Sequence, residues 1–300
     1  MVLDDGTSTM LRCANCGAAE GDDIKLKTCT ACKSVRYCGI KCQKKHRPKH
    51  KKACKERAAE LRDEILFRQP ESTHLGDCPI CCLPLPIDLD KLVYLQCCSQ
   101  LICLGCNCAN QRREFMGKLE NKCPFCRAPA AESGEDCVRK MMDRAEANDP
   151  AAMYQLGNEL MMAEKGDEVR AFECFSKAAS LGDVDAHWRL GLCYSQGRGV
   201  EKDKKKEVYH FEQASIGGHP AARHDLGVVE WYNGNKERAV KHWIIAAKQG
   251  DETSIDKLKQ VYAGSKGLLS KEDFIRLSSS RIPSCSGCNI ERTKGGSRAF

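Results

Sequence analysis

From about residue 136 onward, apolar residues recur at the spacing of amphipathic helices, and the pattern repeats along the chain. The stretches "AAMYQLGNEL", "AHWRLGLCYSQGRGV" and "AARHDLGVVEWYNG" share the pattern Ala-x3-Leu-Gly. Their leucines, Leu156, Leu190, Leu226 and the more degenerate Leu258, are 34, 36 and 32 residues apart. Aromatic-rich segments that end in small residues and glycine lie between them. Each unit is therefore predicted to be a helix, a turn and a second helix.

These hairpins are predicted to stack into a solenoid, because a single hairpin cannot bury its own apolar face. The glycines of the Leu-Gly pairs fit close contacts between helices, and those that end the aromatic segments fit helix C-caps. The first group is Gly157, Gly191 and Gly227, and the second is Gly182, Gly217 or Gly218, and Gly250. Five aromatic residues are predicted to pack inside the array: Trp188, Tyr194, Phe211, Trp231 and Trp243.

The period, together with "GRGVEKDKKKE", resembles the Sel-1-like repeat, a relative of the TPR, over residues 149 to about 262. The resemblance implies an all-α, TPR-like scaffold that binds folded or extended protein partners. The predicted solenoid spans residues 136–280, and a disordered tail is predicted for 281–300. Cys285 and Cys288 in this tail form one CxxC, and the tail has no second couple to complete a metal site. A redox pair is the alternative role for these two cysteines.

Two linkers divide the preceding part of the chain. "KERAAELRDEILF" places Leu61, Ile65 and Leu66 on one side of a helix, and Pro70 ends it and opens a linker. "APAAESGED" is a second small-residue, polar linker. The predicted modules therefore span residues 10–67 and 75–128.

Composition indicates what these two modules contain. The chain of 300 residues is 42% apolar and 30% charged, has no stretch long enough to span a membrane, and begins without a secretory pattern. We therefore expect an intracellular protein of cytoplasm or nucleus, neither secreted nor inserted in a membrane. Of its 22 cysteines, 17 lie between Cys13 and Cys126, and the chain holds six CxxC pairs. Reduced cysteines in such pairs are typical metal ligands.

The first module offers eight ligands in four couples, enough for two tetrahedral zinc sites. A couple with two intervening residues suits a tight turn, and one with three places its members on one helix face. Pro48 is predicted to open the helix that carries the last couple. The eight residues are Cys13, Cys16, Cys29, Cys32, Cys38, Cys42, His50 and Cys54.

The segments "CANC", "CTAC", "VRYC", "CQKKH" and "HKKAC" resemble the MYND zinc finger over residues 13 to 54. The family's interleaved topology implies that Cys13, Cys16, Cys38 and Cys42 hold one zinc ion. It assigns the second ion to the remaining four ligands, Cys29, Cys32, His50 and Cys54. The resemblance also implies recognition of short peptides.

The basic stretch "CQKKHRPKHKKAC" is interpreted as a zinc-ligand segment whose lysines, and His46, stay solvated. Residues 1–60 alone carry a formal charge of +7, equal to that of the whole chain. Zinc-bound cysteines are thiolates, and four filled sites would offset that excess. Nucleic-acid binding is therefore the least favoured function.

The second module begins with "CPICCLPLP", continues with "YLQCCSQLICLGC" and ends with "CPFCR". Its three CxxC couples need a fourth, for which Cys97 and Cys98 are available. Adjacent ligands on one metal are geometrically awkward, so Cys82 or Cys108 can substitute, and a single structural zinc ion is an alternative. The predicted ligands are Cys78, Cys81, Cys97, Cys98, Cys103, Cys106, Cys123 and Cys126.

This order resembles an all-cysteine RING finger. The resemblance implies one zinc ion on Cys78, Cys81, Cys103 and Cys106 and another on Cys97, Cys98, Cys123 and Cys126. With two per module, four zinc ions per chain are predicted. The resemblance also implies a ubiquitin-conjugating enzyme as a possible partner, docked at Ile80, Pro124 and Arg127. Phe115 or Met116 would supply the aromatic or large apolar residue of the intervening helix.

The fold class predicted from the sequence is thus two small zinc modules followed by an all-α solenoid. The favoured function is a zinc-binding adaptor that brings partner proteins together. The alternative is a RING-type ubiquitin ligase, which acts by positioning, without a covalent intermediate, and would use the solenoid to recruit substrate. Nothing outside the finger resembles the SET domain of a methyltransferase, and no Ser-His-Asp pattern or nucleotide-binding loop is apparent.

Overall fold

The computed structural model describes residues 11–163, 166–264, 267–270 and 272. It divides into two compact units, with the boundary between Arg68 and Gln69. The predicted tail, with Cys285 and Cys288, lies outside the described residues.

The first unit is a small sheet followed by one long helix. Strands β1 (Lys27–Thr28) and β2 (Arg36–Tyr37) pair antiparallel. Helix α1 (Ile40–Leu66) has 27 residues. Its small core consists of cysteines with Leu26 and Tyr37, so the potential metal ligands take the place of a hydrophobic interior.

The expected helix start at Pro48 is wrong, because α1 begins at Ile40 and contains Pro48. Proline removes one N–H from the helical ladder. The loss is confined to the bond that this N–H would have made with Lys44, and the flanking turns continue the helix. Cys42, in its first turn, and the couple of His50 and Cys54 therefore lie along a single helix. Cys38 precedes this helix, so the expectation that Cys38 and Cys42 share one helix face is wrong.

The second unit begins with a hairpin and a helix. Strands β3 (Leu92–Leu95) and β4 (Gln100–Cys103) are antiparallel, and helix α2 (Leu104–Gly117) follows directly. Ile102 is fully buried among cysteines and leucines.

Eight helices of 13 residues each form the described part of the solenoid. Their acidic N-caps recur: Asp149, Asp183 and Asp251 each accept backbone N–H groups of the helix that follows. The helices are α3 (Gly134–Glu146), α4 (Pro150–Met162), α5 (Glu168–Ser180), α6 (Val184–Gln196), α7 (Lys204–Ile216), α8 (Pro220–Tyr232), α9 (Lys236–Lys248) and α10 (Glu252–Gly264).

Three short turns, at 181–183, 217–219 and 249–251, join consecutive hairpins, and we call this row the turn edge. Gly182, Gly218 and Gly250 occupy equivalent places there with φ of 93°, 90° and 98°. Of the two candidates in the middle turn, Gly218 takes the left-handed conformation, whereas Gly217 has φ of −68°.

The Leu-Gly pairs explain how the helices pack. A Cβ atom added to Gly191 would lie 2.4 Å from Cδ1 of Phe211, and one on Gly227 would lie 2.6 Å from Nε1 of Trp243. Gly157 faces Phe175 in the same way. Each glycine thus admits an aromatic ring of the second helix of the hairpin, as the pattern predicted.

The core is formed by residues of these facing helices. Tyr194, Phe211 and Trp243 are buried, whereas Trp188 and Trp231 are half-buried. The predicted class, zinc modules followed by a helical solenoid, is confirmed. Among the described residues, no helix is both long enough and apolar enough to cross a membrane.

Candidate metal centres

Four CxxC couples fold into the same tight turn. In each, the N–H of the residue four positions after the first cysteine donates to that cysteine's carbonyl, at 2.8 to 3.1 Å. That fourth residue takes a left-handed φ between 55° and 75°. The turn brings both sulfurs of the couple to one potential metal centre. The four acceptor cysteines, each with the residue that donates to it, are Cys13 with Gly17, Cys29 with Lys33, Cys78 with Cys82, and Cys123 with Arg127.

The first centre joins the first couple to the start of α1. The structure brings together Cys13, Cys16, Cys38 and Cys42, with all four sulfurs within 4.8 Å of one another. Sγ of Cys38 lies 3.6 Å from that of Cys16 and 3.5 Å from that of Cys42. Asn15 donates its amide N–H to Cys42 Sγ at 3.4 Å, as a second-shell donor to a metal-bound thiolate would.

The second centre joins the turn before β2 to the middle of α1. It contains Cys29, Cys32, His50 and Cys54, again within 4.8 Å. Cys29 Sγ lies 3.8 Å from Cys54 Sγ, and Nε2 of His50 lies 3.2 Å from Cys32 Sγ. Ser34 donates its hydroxyl to Cys32 Sγ at 3.0 Å.

These distances fit zinc. With Zn–S bonds of about 2.3 Å, the sulfurs of a tetrahedral site lie about 3.8 Å apart. The donors are those that zinc prefers, and both sets close to four ligands, which is typical of structural rather than catalytic sites. Bound there, zinc would supply the attraction that holds the couples together.

The shifted pKa values of the cysteine thiols in the first centre also favour a bound cation. Backbone N–H groups, first that of Cys16, lower the pKa of the Cys13 thiol to about 6. Contact with the Cys42 and Cys16 sulfurs raises the pKa of Cys38 to about 12. Some of the four sulfurs thus ionise readily while their neighbours retain protons, because crowded thiolates repel each other. A divalent metal ion removes that conflict.

His46 was expected to stay solvated, and the structure corrects this. It is half-buried, its Nδ1 lies 3.0 Å from the hydroxyl of Tyr37, and its ring stacks on His50 at a centroid distance of 5.6 Å. His46 and Tyr37 therefore orient a potential ligand. The signal in the sequence was the four-residue spacing of His46 and His50, which places both on one helix face.

The third centre, in the second unit, lies between the first turn of that unit and the start of α2. It gathers Cys78, Cys81, Cys103 and Cys106. Cys81 Sγ lies 3.9 Å from Cys103 Sγ. Burial raises the pKa of the Cys78 thiol, but backbone N–H donors, with that of Cys103 first, outweigh it and lower the pKa to about 7.

The fourth centre contains the adjacent pair Cys97 and Cys98 with Cys123 and Cys126. Cys98 Sγ lies 3.9 Å from Cys123 Sγ, and Cys97 Sγ lies 3.3 Å from Cys126 Sγ. The tight turn between β3 and β4, in which Ser99 takes φ of 55°, lets neighbouring sulfurs reach one centre.

The suggested substitutes, Cys82 and Cys108, belong to none of the clusters found among the described residues. Cys82 is the left-handed fourth residue of its turn and is exposed. The turn accounts for its position without any role for its sulfur.

The residues predicted to dock a ubiquitin-conjugating enzyme lie around these centres. Ile80 is 43% exposed and Pro124 is half-buried, each inside a CxxC turn. Arg127 is exposed and takes the left-handed place of its turn. At the end of α2, Phe115 and Met116 are exposed.

One further group of possible ligands escaped the sequence analysis: His74, Asp185 and His219. Nε2 of His74 and Nε2 of His219 lie 3.0 and 3.3 Å from the same carboxylate oxygen, Oδ1 of Asp185. The available signal was His219 itself, which stands where the repeats before and after it have the N-cap residues Asp183 and Asp251.

The comparisons with known proteins support two of the three recognised segments. The family model of the MYND finger matches residues 13–54. The model of the Sel1 repeat matches 150–183, 184–219 and 220–251. Both resemblances stated from the sequence are thus shown, and the remaining cysteine clusters can form RING-like zinc sites.

Known proteins match parts of the chain. The rat protein "DAP3-binding cell death enhancer 1" is 32% identical over 103 residues, 34% of this chain and 19% of that protein. "Chitin synthase regulator SKT5" of Saccharomyces cerevisiae is 31% identical over 68 residues, 23% of this chain and 10% of that protein. A Sel1 repeat protein from Oxalobacter formigenes of known crystal structure is 26% identical, with a TM-score of 0.45, covering 49% of this chain and 62% of that one. The chain spans less than a third of the length of these curated relatives.

Proposed function

We propose that the protein is an adaptor whose zinc modules and solenoid bind different partner proteins. The observation that carries the proposal is the presence, in one chain, of a MYND finger and Sel1 repeats, both of which are protein-interaction modules. Relatives named for binding or regulating another protein agree with it. The short-peptide ligand of the finger and an intracellular location are part of the proposal.

The solenoid offers aromatic side chains for such contacts. Tyr209 on α7 and Tyr232 on α8 are 52% and 84% exposed. Exposed aromatic residues contribute strongly to protein interfaces because they bury a large area at little cost in conformational entropy. They are the first residues to change in a search for the solenoid's partner.

Affinity capture with the full chain tests the proposal. We expect reproducible protein partners, one set lost in Cys29→Ser, which removes a finger ligand, and another weakened in Tyr232→Ala. As a matched control, Lys44, Lys45, Lys49 and Lys51, all exposed, are changed to Gln, which should alter neither set. Capture that depends on these lysines and disappears with nuclease treatment or moderate salt would replace the adaptor with nucleic-acid binding.

A second candidate is RING-type ubiquitin transfer. The third and fourth centres interleave their couples along the chain, an arrangement that holds two loops against one helix as a RING finger does. Such a module would hold a charged conjugating enzyme in a reactive pose. Ile80 would contribute apolar contact, Pro124 would shape the groove, and Arg127 would supply the cation that fixes ubiquitin.

Autoubiquitination with a panel of conjugating enzymes distinguishes the two candidates. If the ligase hypothesis is correct, wild type is active, and both Ile80→Ala and Arg127→Ala lose at least tenfold in rate with unchanged zinc content. Leu83→Ala, which changes another exposed apolar residue of the module, serves as the control. If wild type is inactive but retains its zinc, the ligase hypothesis is wrong and the adaptor hypothesis remains.

A further inference from the structure

The segment that precedes the third centre lies along the turn edge of the solenoid. The backbone N–H of His74 donates to the carbonyl of Gly218 at 3.3 Å. The side-chain amide of Gln249 donates to the same carbonyl at 3.0 Å and to the carbonyl of Ser72 at 3.5 Å. The turn edge therefore contacts the backbone of residues 72–74, a bend that leads into the turn closed by the hydrogen bond from the N–H of Gly76 to the carbonyl of Thr73. Main-chain contacts add affinity for a bound peptide whatever most of its side chains are.

Gly218 permits this approach. A Cβ atom there would lie 3.3 Å from the carbonyl oxygen of Ser72 and 3.4 Å from the nitrogen of His74. At the equivalent place in the preceding turn, Gly182 has nearly the same φ but no atom within 4 Å of such a Cβ. Both glycines satisfy a left-handed turn, but only Gly218 also has another backbone lying against it.

One side chain of the segment enters a matching slot. The imidazole of His74 is 8% exposed, stacks on His219 at a centroid distance of 4.4 Å, and donates Nε2–H to Asp185. His219 caps helix α8, since its Nδ1 accepts the N–H of Ala222 at 3.1 Å. A repeat with the usual aspartate at this N-cap would have no ring for His74 to stack on.

The hydrogen bonds favour this slot as an imidazole site rather than a metal site. Because Nδ1 of His219 accepts a hydrogen bond, the proton of the neutral ring lies on Nε2, the atom that faces Asp185. A metal on that nitrogen would require the proton to move and the helix cap to break.

The contact between segment 72–74 and the turn edge leaves two buried polar atoms without a hydrogen bond, and an open cleft lies beside it. Nδ1 of His74 and Oε1 of Gln249 are buried and lack a hydrogen-bond partner among the residues that the structure describes. Next to the segment lies a cavity of about 740 Å³, lined in part by Ser72, Pro86 and Asp251. A segment held in this way can be exchanged at less cost than a fully paired core element.

We propose that Gly218, His219 and Gln249 of the turn edge, together with Asp185 in the first turn of α6, form a peptide-docking site, which the chain's own segment 72–74 occupies. A partner would dock there through a short segment that carries a histidine and adopts the same bend, by displacing this one. The proposal deepens the adaptor function, because it assigns one docking surface of the adaptor. The existence of an external partner for this site rests on the proposed adaptor function. Docking of the chain's own segment does not depend on that function.

Hydrogen exchange on the full chain tests docking of the segment. In Gly218→Ala the added methyl group pushes against Ser72 and His74, so we expect amides 72–76 to exchange at least tenfold faster. Gly182→Ala imposes a similar backbone strain without that contact and should leave those amides unchanged. Equal exchange of segment 72–76 in the two variants would overturn the proposal.

A labelled peptide of residues 70–76, Pro-Glu-Ser-Thr-His-Leu-Gly, tests exchange in trans by fluorescence anisotropy. The tethered segment has an effective concentration in the millimolar range, so wild type should bind the peptide at least tenfold more weakly than His74→Ala. Adding Asp185→Asn to His74→Ala should remove the gain. If His74→Ala binds no better than wild type, or if the gain survives Asp185→Asn, the site is a fixed joint and the proposal fails.

The same variants separate this proposal from its alternatives. A rise in melting temperature on adding zinc to the zinc-loaded chain, lost in His74→Ala, would assign the slot to a metal ion and overturn the peptide site. If the peptide experiment fails but partner capture succeeds, the docking site is wrong and the adaptor function remains supported. If capture fails but the peptide binds as expected, the adaptor function is wrong and the docking site remains supported.

Discussion

At the scale of single residues, glycine determines how closely two helices approach. Gly191 lies on α6 directly under the ring of Phe211, which is 2% exposed. A side chain of any size there must displace a ring that is enclosed on its other sides, and close-packed interiors resist such shifts. The glycine is therefore a packing requirement, although glycine inside a helix is unfavourable by itself.

Gly191→Ala is expected to destabilise the solenoid by about 1–3 kcal/mol, because overpacking outweighs the gain in helix propensity. Urea unfolding followed by circular dichroism measures the change. Gly134→Ala, at the start of α3 with no atom within 4 Å of the added methyl, should be neutral or slightly stabilising. Equal effects of the two substitutions would show that Phe211 can move aside freely.

At the scale of elements, a pair of imidazoles joins the two helices of the second hairpin. Nδ1 of His187 on α6 lies 3.0 Å from Nδ1 of His210 on α7, so one ring donates and the other accepts. His210 also stacks on Tyr194. Burial lowers the pKa of both histidines, and that of His210 falls to about 4. Protonation of both would break the hydrogen bond and place like charges together.

Acid should therefore weaken this hairpin over a defined range. The unfolded chain takes up a proton below pH 6.5, whereas folded His210 does so only near pH 4. The stabilisation is complete above pH 6.5 and is lost as the pH falls towards 4. After allowance for partial solvent exposure, we expect a loss on the order of 1–2 kcal/mol.

His210→Asn isolates that contribution, because its amide can replace Nδ1 but does not titrate. Between pH 7 and pH 4 the unfolding free energy of wild type should fall by about 1–2 kcal/mol more than that of the variant, and any acid sensitivity of the zinc modules cancels in the difference. Parallel pH profiles would show that the histidine pair plays no part.

At the scale of the whole molecule, the four cysteine centres replace the hydrophobic core in the modules that contain them. Cys13, Cys32, Cys78 and Cys103 are among the most buried residues of the chain, each at most 3% exposed. Few large apolar side chains accompany them, and small domains of this kind fold only when metal is bound. The solenoid, by contrast, has its own clusters of buried apolar residues.

We expect four zinc ions per chain, measured by native mass spectrometry on freshly reduced protein. A strong chelator should unfold the modules and release all four, while the helical signal of α3 to α10 survives. Two ions or fewer would contradict the count. Complete loss of the helical signal on chelation would show that the solenoid depends on the second zinc module.

The sequence predicted the solenoid and the ligand sets of the candidate centres, but it did not predict every helix boundary or side-chain contact around them. Sequence period and the Leu-Gly pairs predicted the solenoid correctly, because a helix repeats its face every few residues and glycine marks the close contacts. The start of α1 was misjudged, since Pro48 favours a helix start locally while the helix already begun at Ile40 tolerates it. His46 was misjudged because its partner, Tyr37, lies on another element.

The sequence by itself determined what is local: helical periodicity, turn-forming couples, and the cysteine and histidine ligands that are typical of zinc sites in a reduced chain. Tertiary structure decided what joins distant positions. His74 and Asp185 are 111 residues apart, and Ser72 and Gln249 are 177 apart. No periodicity or spacing relates such pairs. They meet because stacking the repeats sets three turns in a row, and because Gly218 and His219 shape one of those turns to admit another backbone.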